Sequence, residues 1–132
     1  MRQTLENIES VLLSEMAISY SFVGRYDDFV PEDLPAICIE PRNNASILDD
    51  TLGFNYDKND EVTVHYVELA PSDRDQRMFV SNVDQMVAVL QNDPKLSGEF
   101  NMGIEIHVAY GKRSTEDNVE FIAELTIEGR NV

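Results

Sequence analysis

The sequence predicts an α+β domain: a mainly antiparallel sheet with two helices packed on one face, and a long acidic β-arm between early strands. Three observations predict it. Stretches 102–110 and 119–128 alternate apolar and polar residues over most of their length, as strands with one buried and one wet face do. Two other stretches place apolar residues at helical spacing. Between two strand-like segments, residues 43–60 break all periodicity and are rich in Asn and Asp.

The elements follow in order. Residues 3–17 read as an amphipathic helix, because Leu5, Ile8, Leu12 and Met16 fall on one stripe that Val11 and Leu13 widen. Ile18, Tyr20 and Phe22 then give β character, and Gly24 marks a break. Residues 25–35, acidic and carrying two prolines, read as a loop. It leads into a short strand at 36–40 that Pro41 ends or leaves at an edge. A long excursion follows at 43–60, of the kind that small domains keep for function. Val62, Val64 and Tyr66 alternate with Thr63, His65 and Val67, which makes 61–69 a strand.

Ser72 or Asp73 is the expected cap of a second helix whose buried stripe is Phe79, Val83, Met86, Val87 and Leu90. Pro94 stops that helix. Residues 93–101 form a turn anchored by Leu96, and the closing hairpin turns over 111–118, the most basic spot in the chain. In that hairpin Met102, Ile104, Ile106, Val108 and Tyr110 face one side, with Glu105 and His107 on the other. Val119, Phe121, Ala123, Leu125 and Ile127 repeat the pattern.

Composition narrows the function. At 132 residues the chain is one domain, residues 1–132. Its net charge of −15 opposes specific binding of nucleic acid, which needs Lys and Arg on phosphates. The same charge opposes anionic lipid, and no apolar stretch is long enough to cross a membrane. The first residues lack the apolar block of a signal peptide, so a cytosol-like compartment is expected. The single cysteine, Cys38, sits in an apolar run and reads as a small buried hydrophobe.

A search for chemistry gives little. The run from Asp57 to Glu61 fails as an EF-hand, lacking the glycine and the closing glutamate; it reads as a solvated acidic loop, with a divalent site shared between chains as the other reading. His65 and His107 read as surface or half-buried strand residues, able to approach each other only if their strands are neighbours. Adjacent acids such as Asp27 and Asp28 do not make the separated pair that acid–base catalysis needs. The glycines are scattered, so there is no phosphate loop, and no nucleophile has its base. No enzyme activity, catalytic residue, cofactor or dedicated metal site is expected.

The order of elements resembles that of the tail terminator family of long-tailed bacteriophages, typified by the minor tail protein U of lambda-like phages. Matching pieces are the first helix, the acidic lead DFVPEDLPAICI at 28–39, the acidic arm at 43–60, the strand EVTVHYV at 61–67, APSD before the second helix, the DPKL turn at 93–96 and two final strands. The chain departs from the pattern in its basic last turn and its less aromatic second helix. The resemblance implies a hexameric ring in the virion, at the head-proximal end of the tail, assembled in the host cytoplasm. Such a ring stops tube polymerisation and offers a head-joining surface, so its partners are other copies of itself, the tail tube protein and the head–tail connector.

In that reading Asp49, Asp50, Phe54, Tyr56 and Asp57 of the arm, with Lys112 and Arg113 at the basic turn, are the contact candidates. Six subunits of charge −15 repel one another, so salt or non-specific divalent cations at acidic contacts are expected to help assembly. Two alternatives stay open: another neck, completion or tail-tube subunit, and a small acidic adaptor for a basic partner.

Overall fold

A computed structural model describes residues 2–42, 58–70, 75–93 and 103–131. Helix α1 (Arg2–Glu15) is followed by strand β1 (Tyr20–Val23), a short 3-10 turn (Pro31–Asp33) and strand β2 (Ala36–Arg42). Then come β3 (Lys58–Leu69), helix α2 (Arg77–Asn92), β4 (Ile104–Ser114) and β5 (Val119–Asn131). The strands form one sheet in the order β1-β2-β3-β5-β4. Only β1 and β2 run parallel; the other pairs are antiparallel. The α+β architecture expected from the sequence is therefore present.

Both helices cover the same face. Ile8 and Leu12 of α1 and Phe79, Val83, Met86 and Leu90 of α2 bury against Ile37, Ile39, Val62, Val64, Tyr66, Phe121, Leu125 and Ile127. These strand residues are the alternate positions that the period-two pattern selects, and the register lines them up: Ile39 opposite Val64, Val64 opposite Leu125. Tyr66 stacks on Phe79 with centroids 5.5 Å apart and planes 2° from parallel. Its hydroxyl donates to Glu68, which also accepts from Asn82 at 2.9 Å. Burial, then that carboxylate, push the Tyr66 phenol well above its ordinary range.

Several boundaries differ from expectation for physical reasons. Helix α1 ends at Glu15, one last turn being closed by the bond from Met16 N–H to the Leu12 carbonyl at 2.9 Å. Helix α2 begins at Arg77, where Asp75 accepts the Arg77 amide at 3.1 Å and its guanidinium at 2.9 Å. Asp93, with ψ 118°, is already extended as a residue before proline must be. Strand β3 starts at Lys58, so residues 58–61 belong to the ladder and are not a solvated loop.

The closing turn is also shorter than expected. Strand β4 continues through Ser114, and the turn narrows to residues 115–118, where the Thr115 N–H donates to the Asn118 carbonyl at 2.8 Å. Lys112 and Arg113 are thus strand residues, opposite Phe121 and Glu120, and project to opposite faces. The arm from 43 to 57, the cap candidates Ser72 and Asp73, and Leu96 lie outside the described residues.

Candidate functional site

The expectation of one wet face fails at the centre of the sheet. Thr63, His65 and Val67 of β3 point away from the helices and are nevertheless buried. The cause is the β1–β2 connection. Parallel neighbours need a crossover of roughly a dozen residues, and here that crossover, residues 24–35, crosses the second face as a strap.

Gly24 lets the chain leave β1. Its φ of 149° favours glycine, and a Cβ there would lie 3.1 Å from two ring carbons of Phe22. Tyr26 then lies over His65, with centroids 4.1 Å apart and planes 16° from parallel. The Tyr26 amide donates to Glu40 Oε2 at 3.1 Å, and Glu40 Oε1 is 3.1 Å from His65 Nε2. His65 Nδ1 is 3.8 Å from Glu124, too far for a hydrogen bond. Further along, Arg113 reaches Asp28 of the strap at 3.6 Å and buried Glu120 at 3.4 Å. Phe29 turns back to meet Tyr20 and Tyr26 edge-on, and the 3-10 turn returns the chain to β2.

This face is electronegative. Burial, then Asp28 and Glu120, push the Tyr26 phenol up to about 12, against a lesser pull from Arg113. Burial and then Glu40 push the Cys38 thiol up to about 11. A thiol held protonated in this way is a poor nucleophile. Cys38 is 1% exposed, which agrees with its reading as a buried hydrophobe.

Between the strap and β1 lies an open cleft of about 670 Å³. Its walls are Tyr20, Phe22, Tyr26 and Phe29, Cys38 contributes to the lining, and Asp27, Asp28 and Asp33 add carboxylates. Sequence reasoning passed over this cleft. The usable signal was four aromatic residues at 20, 22, 26 and 29 interleaved with acids, with Gly24 between them.

Of the contact candidates, Asp49, Asp50, Phe54, Tyr56 and Asp57 lie outside the described residues. Lys112 is exposed on β4, whereas Arg113 is half-buried and engaged within its own chain. His65 and His107 stand on strands separated by β5, so the two imidazoles are not neighbours. His107 instead shares the outer face of the closing hairpin with Glu105 and Glu128, whose ligand atoms and its own all lie within 4.8 Å of one another. Those three could reach one divalent cation, with Glu105 and Glu128 directly opposite in register.

Compared with known proteins, the sequence matches no family model and no curated protein at a significant level. No described helix is long and apolar enough to cross a membrane.

Proposed function

We propose that this chain is a structural subunit that joins copies of itself head to tail into a closed ring, acting as a tail terminator in a bacteriophage virion. The observation that carries the ring is the sheet's two ends. Among the described residues β1 and β4 each pair on one side only, so both outer edges keep unpaired backbone donors and acceptors. Two different edges on one subunit are what a heterologous, ring-forming contact requires. Strand addition across the boundary would satisfy them.

The side chains suit such a contact. Val23 is exposed on β1 and Tyr110 on β4, apolar groups at both outer edges that a neighbouring subunit would cover. The order of elements supports the terminator role: the ring would cap the tail tube and meet the head connector. A bore lined by subunits of charge −15 would let a polyanion slide without gripping it.

Native mass measurement at micromolar concentration tests the proposal, with and without added salt and divalent cations. One closed oligomer of fixed subunit number is expected, favoured by screening. A monomer under every ionic condition, or an open-ended polymer, would overturn it.

A further inference from the structure

The cleft under the strap combines two chemistries that together select a cation. Tyr20, Tyr26 and Phe29 form a corner: Phe29 meets Tyr20 at 76° and Tyr26 at 75°, with centroids 6.0 and 5.9 Å apart. Phe22, 43% exposed, stands beside them on β1. A cation over a ring face is drawn by the ring's quadrupole, and rings set at right angles offer it more than one wall. Asp27, Asp28 and Asp33 share this lining with a single cation, Arg25. Arg113 engages Asp28 but neither of the other two.

We propose that this cleft receives the arginine side chain of an extended basic segment of a partner protein. Arginine fits better than lysine, because a planar guanidinium stacks on rings and forks onto carboxylates. A peptide fits better than a free cation for two reasons. A cleft of about 670 Å³ is far larger than a guanidinium and falls among sites of roughly 300–1,000 Å³ that enclose larger ligands. It also opens beside apolar Phe22 and Val30, both exposed and suited to covering by neighbouring residues of the segment. After burial, Asp28 and Glu120 add to the rise of the Tyr26 phenol, and Glu40 to that of the Cys38 thiol. None of this depends on closure into a ring, since the cleft is complete within one chain.

The test is a calorimetric titration of the full chain with a short glycine- and serine-based peptide carrying one central arginine. A counterpart with neutral citrulline in its place serves as the comparison. The arginine peptide should saturate one site, and the citrulline peptide should bind about tenfold or more weaker. Phe29→Ala and Tyr20→Ala, which change no charge, should each weaken binding about fivefold. Asp33→Asn should do the same, and Phe22→Ala supplies a ring variant at an exposed position should Phe29→Ala loosen the strap. Glu15→Gln with Asp84→Asn removes two exposed charges on the helices and should leave the affinity unchanged. Equal weakening by that remote pair, or none by the ring variants, would mean that basic peptides bind only the general acidity. Free arginine amide binding as tightly as the peptide would overturn the claim of a peptide partner.

Discussion

Tyr26 lies nearly flat on His65, their ring centroids 4.1 Å apart, and this stack pins the start of the strap to the centre of the sheet. Glu40 ties both ends of the contact, accepting the Tyr26 amide and bonding His65 Nε2. Tyr26→Ala removes the stack, the edge contact with Phe29 and the cover over β3. It should cost about 2–3 kcal/mol, from aromatic contact and half a buried ring together. Tyr26→Phe keeps the ring and should cost less than about 1 kcal/mol. Urea unfolding of the two variants checks this; equal losses would place the contribution in the hydroxyl instead.

Alkaline pH should loosen the same region. Tyr26 is raised from 10.0 to about 12, chiefly by burial, and Cys38 from 9.0 to about 11, also chiefly by burial. The folded chain holds these protons to higher pH than the unfolded chain does. Their contribution is therefore whole below about pH 9 and is lost as pH rises towards about 12. Tyr66, raised still further, acts with the same sign. The urea midpoint should fall through this window, and Tyr26→Phe should fall less steeply because one titrating group is gone. A parallel decline in both proteins would remove Tyr26 from the account.

The parts of the fold legible in the sequence are those with a strong local period. Phe79, Val83, Met86 and Leu90 mark one helical stripe, and Val119 to Ile127 mark one strand face; both are buried as expected, except Val119, which is half-buried. The strap was not legible as a cover, because its position follows from β1 pairing parallel to β2, a non-local fact. His65 alternates as a wet-face residue should, and it is buried in the tertiary fold, with Tyr26 stacked on its ring and Glu40 at Nε2. Arg113 shows the same limit. Its place next to Gly111 and Ser114 suggests a turn, whereas its pairing with Glu120 across the hairpin keeps it in the ladder.

That pairing makes Arg113 a stability residue. Glu120 is 2% exposed, and its carboxylate lies 3.4 Å from the Arg113 guanidinium. Arg113→Ala would leave a buried carboxylate without this cation and free Asp28 of the strap from its contact with the sheet. A loss of about 1–3 kcal/mol is expected, below the full cost of breaking a buried pair because Arg113 is itself partly exposed. Adding Glu120→Gln to Arg113→Ala should recover part of the loss, since the stranded charge goes with it. A double variant less stable than the single one would show that Glu120 has another essential partner.

Removing residues 44–57 separates folding from assembly. Strands β2 and β3 are antiparallel neighbours whose ladder reaches Arg42 opposite Glu61, so the shortened chain can close a hairpin through residues 43 and 58–60. Hairpin loops of about four residues are common and need no long excursion. The core residues from Ile37 to Ile127 are untouched by the deletion. Circular dichroism and the urea midpoint should therefore stay near those of the full chain. In the proposed ring, however, Asp49, Asp50, Phe54, Tyr56 and Asp57 reach a neighbouring subunit or the tube, so the shortened chain should remain monomeric where the full chain closes. Loss of the folded state would assign the segment to the domain's own stability, and a ring of normal mass would strip it of any part in subunit contact.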